Sequence, residues 1–457
     1  MTIKTIKTIN PTTEKLIQEY KYMTTDEVLG ISKKSKKAFD LWKKLTLDER
    51  KKYFLKLAQK LRDEKRYNAE LMTNEMGKPI KESLAEVEKC AWFSEFLVEH
   101  ANSMLKQENL VADGKEHVVR FDPLGPILII MPWNFPFWQV FKVALPPILA
   151  GNTIILKHAK NVTGSALQIN KLFNEVFPEN VFRTIISGHD SISELISGDE
   201  VVAVSLTGSV SAGTKIASQA GKNLKKTVME LGGSDPLIVL SDADIKKSAK
   251  GAVLGRMYNG GQVCIASKRI IVHEDIVEQF TEEFVAEMKK LKIGNPMEED
   301  TDVGPLADEA AVKDMQNFVD NAKENGAKIL VGGKKLERDG FFFEPTIISQ
   351  TSKNMDAVCF ETFGPIAPII VAKSDEDAIV IANDSEFGLS ASIWTKNLEK
   401  GKALAAKIDA GSIFINSISK THPNIPVGGI KNSGYGRELS KYGILEFVNI
   451  KSVNVYD

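Results

Sequence analysis

A cysteine that follows two glycines is the first feature of this 457-residue chain that could do chemistry. Cys264 ends the run Asn259-Gly-Gly-Gln-Val-Cys, and the glycines allow the backbone to approach a ligand closely. A cysteine thiolate is a strong nucleophile at neutral pH once its neighbours lower the pKa. The alternative is a buried structural cysteine, and this segment alone leaves both interpretations open.

Two other polar residues could assist such a nucleophile. Glu230 lies between an apolar strand and a Gly-Gly turn, at the carboxyl end of the strand, where open α/β sheets bind their ligands. Burial there would raise its pKa and suit it to general-base catalysis. Asn134 lies between Pro132 and Pro136, which would hold its amide in place to donate to a developing oxyanion. A solvated glutamate and an ordinary turn asparagine are the alternatives.

The loop at 206–215 (LTGSVSAGTK) follows an apolar strand and opens a helix. Its backbone N–H groups could therefore bind a pyrophosphate. It lacks the dinucleotide fingerprint G-x-G-x-x-G, and it misses the P-loop pattern because Thr214 precedes Lys215. A P-loop-like nucleotide-binding or regulatory protein is an alternative, but it leaves Cys264 unexplained.

The elements that must position these residues follow from the hydrophobic pattern. Residues 24–103 have the spacing of amphipathic helices. From Ile127 onward apolar runs alternate with helical stretches, which is typical of a parallel, doubly wound sheet. A second alternation begins near Ile245 and predicts a second α/β lobe, with the boundary between Glu230 and Asp235.

Composition limits the partners. With 59 Lys+Arg against 60 Asp+Glu, the chain has no net electrostatic attraction to nucleic acid or anionic membranes. The apolar run 125–151 is interrupted by Pro132, Pro136, Pro146 and Pro147, which predict a strand, a turn and a short helix instead of a membrane span. The three cysteines are scattered, so we expect neither a metal site nor disulfides. The start of the chain lacks the apolar core of a secretory signal, which favours a cytoplasmic location.

Six segments together resemble the aldehyde dehydrogenase superfamily, over essentially the whole chain. They are PWNFP at 132–136, LTGS at 206–209, ELGG at 230–233, GQVC at 261–264, ETFGP at 361–365 and PVGGIKNSGYGRE at 426–438. The resemblance implies an α/β fold with two doubly wound Rossmann-like lobes and a small β oligomerisation flap. It also implies a homodimer or homotetramer.

The expected domains follow from the same resemblance and from the hydrophobic pattern. They are a cofactor-binding domain at 1–111 and 124–231, a catalytic domain at 232–425, and the flap at 112–123 and 441–457. Residues 116–123 and the tail 446–457 both alternate like strands, and we expect them to pair.

The resemblance implies catalytic roles for three residues. Cys264 matches the nucleophile that forms a thioester, and Glu230 matches the base that activates the deacylating water. Asn134 matches the oxyanion hole, together with the backbone N–H of Cys264. A phosphorylating or CoA-acylating relative is also conceivable, but the presence of Glu230 favours hydrolysis.

The cofactor implied is NADP or NAD. The residues that match its binding positions are Trp133, Lys157, Lys160, Thr207, Gly208, Ser209, Gly213, Leu231, Glu361 and Phe363. Trp133 and Ser209 match positions at the pyrophosphate, Lys157 one at the adenosine ribose, and Glu361 with Phe363 those at the nicotinamide ribose. NAD-preferring members often carry a glutamate where this chain has Lys160, and a lysine there favours the 2′-phosphate of NADP. If Lys160 is only solvated, NAD would be preferred.

Within the superfamily the chain resembles the shorter bacterial and archaeal succinate-semialdehyde dehydrogenases. Lys142 stands where human-type members have an arginine that meets the substrate carboxylate, and Tyr258 replaces a second arginine. With Trp138, Lys420 and His422, these residues form the expected substrate site. They favour a small anionic aldehyde. Glyceraldehyde, lactaldehyde and aliphatic aldehydes stay open, as does a crystallin-like structural protein, which the intact Cys, Glu and Asn set disfavours.

Overall fold

The computed structural model describes residues 5–457. Its helices are α1 Thr25–Trp42, α2 Leu47–Asp63, α3 Lys65–Met76, α4 Ile80–Met104, α5 Trp138–Ala150, α6 Thr163–Val176, α7 His189–Ser197, α8 Val210–Lys222, α9 Ile245–Met257, α10 Val277–Met288, α11 Glu309–Glu324, α12 Asp356–Cys359, α13 Asp375–Asn383, α14 Leu398–Ala405 and α15 Ser440–Leu445.

The strands form two large sheets and three small ones. They are β1 Thr5–Ile9, β2 Leu16–Lys21, β3 Glu108–Leu110, β4 Glu116–Pro123, β5 Pro126–Met131, β6 Thr153–His158, β7 Phe182–Ile185, β8 Ala203–Thr207, β9 Lys226–Glu230, β10 Asp235–Val239, β11 Ser267–His273, β12 Lys328–Val331, β13 Thr346–Ser349, β14 Ile366–Ala372, β15 Phe387–Gly388, β16 Ser390–Trp394, β17 Ser412–Ile415, β18 Ile430–Lys431, β19 Gly434–Tyr435 and β20 Val448–Val455.

The first four helices form the cover expected from residues 24–103. Helix α1 begins at a capping box in which Thr24 and Glu27 exchange side-chain to backbone hydrogen bonds. Thr46 and Glu49 do the same at the start of α2. Each box satisfies N–H groups that a helix end leaves without partners. Helix α4 packs against α2, α3 and α5, so it joins the helical cover to the first large sheet.

The first large sheet has the strand order β19-β9-β8-β5-β6-β7. Strands β5 to β9 are parallel, and β19 adds to the edge antiparallel to β9. The expected doubly wound arrangement is therefore present. Thr207 at the end of β8 lies opposite Glu230 at the end of β9, so both candidate residues stand at the carboxyl edge of the sheet.

The second large sheet has the order β12-β13-β14-β11-β10-β16-β17. All of its neighbouring pairs are parallel except β12 with β13. The chain enters this sheet at Asp235 directly after the turn that follows Glu230. The chain therefore passes from one large sheet to the other at this turn.

A three-stranded sheet has the order β20-β4-β3. Strand β20 pairs antiparallel with β4 along eight residues, from Val448 opposite Pro123 to Val455 opposite Glu116. Strand β3 lies within the expected cofactor-binding range, but it pairs with β4 in this small sheet. Strands β1 and β2 form a separate antiparallel pair.

Every residue of α5 is buried, as expected for the apolar run that contains it. Its apolar side chains belong to a core that also includes Phe54 and Leu97 from the helical cover and Phe173 of α6. Among residues 5–457, no helix combines the length and the apolar character needed to cross a bilayer.

Candidate active site

A cavity of about 370 Å³ lies where the two large sheets meet. Cys264 and Glu230 both line it, together with the aromatic side chains of Phe135, Trp138 and Tyr258. The structure therefore brings together residues that the sequence separates widely. A thiol and a carboxyl group in one largely apolar cavity form the kind of arrangement that covalent catalysis requires.

A strained turn carries Cys264 into this cavity. Asn259, Gly260 and Gly261 have φ values of 51°, 61° and 78°, in the left-handed region. A Cβ atom on Gly261 would lie 2.4 Å from the carbonyl oxygen of Gly364, so glycine is needed there for both conformation and space. The buried Arg256 donates to the carbonyl oxygens of Gly261 and Thr362, at 3.2 and 2.7 Å. It thus joins the cysteine loop to the ETFGP segment.

The pKa of the Cys264 thiol reflects opposing influences. Burial, with a smaller contribution from Glu230 and Asp235, raises it to about 11, against the lowering effect of the ammonium groups of Lys142 and Lys268. Lys268 also donates to the Cys264 carbonyl oxygen at 2.6 Å, which fixes the backbone of the nucleophile. The two lysines are therefore the groups that favour the thiolate.

Glu230 has the properties of a base that works near neutral pH. Burial and the neighbouring Glu438 raise its pKa to about 8, against the lowering effect of Lys142 and Arg437. Its Oε1 atom is buried without a hydrogen-bond partner among the described residues. A water molecule or a reacting group that enters the cavity can supply that missing partner.

The turn after Glu230 is held by the segment near the end of the chain. Ser433 Oγ donates to the Gly232 carbonyl oxygen at 2.7 Å, and the Leu231 N–H donates to the Ser433 carbonyl oxygen at 3.0 Å. A Cβ atom on Gly232 would lie 2.4 Å from Glu361 Oε2. A side chain at this position would therefore displace Glu361, one of the expected cofactor residues.

Asn134 is buried beside the cysteine loop. The Asn134 Nδ2 donates to the Gln262 carbonyl oxygen at 2.9 Å, and the Asn259 Nδ2 donates to the Asn134 carbonyl oxygen at the same distance. His158 fixes the turn further, since its Nε2 bonds the Pro136 carbonyl oxygen at 2.9 Å. Because an amide nitrogen carries two hydrogens, one N–H of Asn134 remains for an oxyanion.

Helix α4 supports both loops through buried carboxylates. Glu82 accepts the Asn259 N–H at 3.0 Å, and Glu86 accepts the N–H groups of Phe137 and Trp138, both at 2.9 Å. Burial raises the pKa of Glu82 to about 8. Glu86 forms a buried ion pair with Lys78. These contacts hold the cysteine turn and the start of α5 against one helix.

The expected pyrophosphate loop lies at the start of α8. Ser209 is exposed and caps this helix by accepting the Ala212 N–H at 3.3 Å, while the Gly208 N–H donates to the Glu230 carbonyl oxygen at 2.9 Å. Gly213 is buried, and a Cβ atom on it would lie 2.5 Å from a methyl carbon of Leu231. The helix therefore packs against Leu231 at Gly213, whereas the Ser209 side chain is exposed to solvent.

The other expected cofactor residues fall into two groups. Lys157 is the last residue but one of β6, and Lys160 begins the short 3₁₀ turn after that strand. Burial lowers the pKa of Lys157, and the Lys160 ammonium lowers it further. Trp133 and Phe363 meet edge to face with ring centroids 5.7 Å apart. These two rings and Glu361 line a second cavity of about 530 Å³.

The described residues offer polar groups that fit a dinucleotide. Thr207 Oγ1 is buried without a hydrogen-bond partner among them, and it lines the Cys264 cavity. The adjacent ammonium groups of Lys157 and Lys160 would each be stabilised by a bound anion. Residues 5–457 contain no cluster of three or more His, Cys, Asp or Glu side chains suited to hold a metal ion.

The expected substrate residues differ in their surroundings. Trp138, Tyr258 and Lys420 line the Cys264 cavity. His422 does not line it, and its ring packs on Trp92 at a centroid distance of 5.3 Å.

Lys142 differs most from the expectation. It lines the cavity, but its ammonium forms a buried ion pair with Glu438 instead of remaining free for a substrate carboxylate. Burial lowers the pKa of Lys142, but Glu438, Glu230 and the Cys264 thiolate outweigh burial and raise it. Lys142 therefore acts on the electrostatics of the nucleophile and the base.

Sequence reasoning missed three groups of the site. Lys268 is buried and pairs with Glu361 at 2.9 Å, and Glu438 pairs with Lys142. Lys89 of α4 lines the cavity. Lys268 follows Cys264 by only four residues, and this proximity could have identified it from the sequence. Glu438 ends the PVGGIKNSGYGRE motif but was given no role, and Lys89 lies on a helix whose charges resemble an ordinary solvated surface.

The Aldehyde dehydrogenase family pattern matches residues 1–453, and the chain belongs to this family. It is 41% identical over 446 residues to the Escherichia coli (strain K12) protein named succinate semialdehyde dehydrogenase [NAD(P)+] Sad, covering 97% of this chain and 96% of that protein. It is also 41% identical over 452 residues to a Mycobacterium leprae succinate-semialdehyde dehydrogenase [NADP(+)], covering 98% and 99%.

Solved structures agree with this assignment. The crystal structure of a succinic semialdehyde dehydrogenase from Streptococcus pyogenes, in complex with NADP+, superposes with a TM-score of 0.97 at 37% identity. The similarity covers 99% of this chain and 100% of that chain. The expected family and fold are confirmed, and the protein is an NAD(P)-dependent aldehyde dehydrogenase.

Proposed function

We propose that the protein oxidises succinate semialdehyde to succinate with NADP or NAD, through a thioester on Cys264. The observation that supports it most directly is the single cavity lined by Cys264, Glu230 and a cationic side chain, Lys89. Relatives of about 41% identity that are named for this substrate support the same reaction.

The acylation half begins with the thiol. Cys264 loses its proton to Glu230, and its sulfur forms a bond to the aldehyde carbon while the carbonyl oxygen becomes an alkoxide. The remaining N–H of Asn134 and the backbone N–H of Cys264 stabilise that oxygen. Bound NAD(P)+ supplies the hydride acceptor. Loss of hydride from the carbon leaves the acyl group as a thioester on Cys264.

The deacylation half uses the same carboxylate. Glu230 releases its first proton to solvent and then takes a proton from a water molecule, whose oxygen attacks the thioester carbon. The carbon–sulfur bond breaks, the carboxylic acid leaves, and Cys264 returns as the thiolate. Lys142 and Lys268 stabilise that leaving thiolate, because both lower the pKa of Cys264.

The residues that fit the cofactor lie at the carboxyl edge of the first sheet and in the ETFGP segment before β14. Ser209 and the start of α8 would meet the pyrophosphate, Lys157 the adenosine ribose, and Glu361 the nicotinamide ribose. A cytoplasmic location suits this chemistry, because a reducing compartment keeps thiols free, and all three cysteines are free thiols.

A screen of aldehydes with the purified protein tests the reaction. Formation of NAD(P)H is followed by absorbance, with succinate semialdehyde, glyceraldehyde, lactaldehyde and butanal against both nicotinamides. We expect the highest kcat/KM with succinate semialdehyde. A higher value with glyceraldehyde or lactaldehyde would contradict the proposed substrate but not the thioester chemistry.

Cofactor choice is expected to depend on Lys160. In Lys160→Glu, a carboxylate would repel the 2′-phosphate, so kcat/KM for NADP should fall by about 10- to 100-fold while that for NAD is kept or rises. Initial rates with each nicotinamide measure this, and Lys33→Glu on exposed α1 surface is the control. Equal losses for both cofactors would show that Lys160 does not read the 2′-phosphate.

We further propose that the β20-β4-β3 sheet joins subunits into a dimer or tetramer. Ile450, Val453 and Val455 on β20 are 59%, 39% and 42% exposed, an unusual apolar content for a strand open to water. Light scattering should give a multiple of the chain mass, and Val453→Asp with Val455→Asp should lower it. A wild-type monomer would overturn this proposal.

A further inference from the structure

Among residues 5–457, no carboxylate forms an ion pair with Lys89, a lysine that lines the cavity. It projects from α4, where its Nζ donates to the Thr421 carbonyl oxygen at 3.1 Å and also to Thr421 Oγ1. It also lies 4.3 Å from the centre of the Trp138 ring. None of these contacts supplies a formal negative charge to balance the Lys89 ammonium.

Of the other lysines that line the cavity, Lys142 is ion-paired and Lys420 is exposed to solvent. Lys142 is bound by Glu438, and Glu86 is bound by Lys78. Burial lowers the pKa of Lys89 to about 8, the direction expected for an ammonium that lacks a counter-ion. A carboxylate that enters the cavity would therefore gain most from Lys89.

We propose that Lys89, together with the hydroxyl of Thr421, binds the carboxylate of an anionic aldehyde whose carbonyl group meets Cys264. The Trp138 ring holds the ammonium by a cation–π contact. The aromatic walls of the cavity accommodate the methylene groups between the two ends. This assignment rests on the proposed oxidation of succinate semialdehyde, and it replaces Lys142 as the group that recognises the carboxylate.

The charged groups that face Lys89 come from three elements. On its own helix, Cys90 and Glu86 favour the ammonium, whereas Lys142 on α5 disfavours it. The exposed Lys420 lies beside Thr421 in the facing loop. Because Lys89 loses its charge above a pKa of about 8, carboxylate binding should weaken as the pH rises through that value.

The test compares two four-carbon aldehydes, succinate semialdehyde and uncharged butanal. Lys89→Met should lower kcat/KM for succinate semialdehyde by about 10- to 100-fold, mostly through KM, and change that for butanal by less than about threefold. Lys89→Arg, which keeps the cation, should recover much of the loss. Lys81→Met, on the exposed part of the same helix and outside the cavity, is the matched control.

A pH series gives a second readout that a structural role would not change. In the wild type, the ratio of kcat/KM for succinate semialdehyde to that for butanal should fall above about pH 8. The pH dependence that Glu230 causes is the same for both aldehydes, so it cancels in this ratio. In Lys89→Arg the ratio should stay level, because arginine remains protonated.

Inhibition of butanal oxidation by succinate separates the two proposals. If succinate semialdehyde is no substrate of the wild type, the proposed function fails, but weaker succinate inhibition in Lys89→Met would still support Lys89 as the carboxylate site. Unchanged succinate inhibition, or equal losses for both aldehydes in Lys89→Met, would overturn the role of Lys89.

Discussion

Replacing Cys264 with alanine is expected to abolish aldehyde-dependent formation of NAD(P)H. Without the sulfur, no covalent bond to the aldehyde carbon forms, and loss of a nucleophile typically lowers kcat by several orders of magnitude. Cofactor binding should persist, because the residues expected to bind the dinucleotide are separate from the thiol. Absorbance assays measure turnover, and quenching of tryptophan fluorescence by added NADP measures binding.

The exposed Cys359 provides the matched control, since its sulfur lies outside the Cys264 cavity. Cys359→Ala should retain wild-type turnover and the same melting temperature. Substantial turnover in Cys264→Ala would refute the thioester route. Loss of cofactor binding with a lower melting temperature would instead show that the alanine variant is misfolded, and Cys264→Ser would then repeat the test.

Much of the fold could be predicted because its strands are continuous apolar runs. A parallel strand is buried on both faces, so ILIIM in β5 and PLIV in β10 stand out in the sequence. The short β3 could not be predicted, because all three of its residues are exposed and its pairing with β4 depends on a tertiary contact.

The candidate site was predictable where its residues lie in unusual local sequence. Cys264 follows two glycines, and Glu230 precedes two, so backbone conformation marks both positions. Lys142 was identified as a special charge, but its partner Glu438 is distant in the sequence. Pairing of this kind depends on how α5 meets the segment before α15, and no local pattern encodes it.

Helix α4 shows the same limit. Its Glu82, Glu86 and Lys89 recur at helical spacing, which by itself is typical of a solvated helix face. In the structure this face points to the active site, where Glu82 and Glu86 bind the two catalytic loops. Only the packing of α4 against α5 distinguishes the two situations.

Replacing Glu230 with glutamine should block deacylation more than acylation. The amide cannot take a proton from water, so steady-state turnover should fall by about two to four orders of magnitude. The variant also lacks the group that accepts the Cys264 proton, but the Glu230 carboxylate raises the pKa of Cys264, so its removal allows the thiol to release that proton to solvent and attack the aldehyde. We therefore expect a burst of up to one NAD(P)H per subunit, followed by slow turnover, in rapid-mixing experiments. The surface variant Glu399→Gln is the control.

The pH dependence provides an independent check on the same residue. A general base acts when it is unprotonated, and the pKa of Glu230 is raised to about 8 by burial and by Glu438. Steady-state turnover of the wild type should thus increase with pH up to about that value and then level off. In Glu230→Gln the increase at this pH should disappear, while the burst should quicken at higher pH as Cys264 ionises. A variant that keeps the wild-type pH profile would show that another group activates the water, and Glu438, which lies close enough to raise the pKa of Glu230, would be the first to examine.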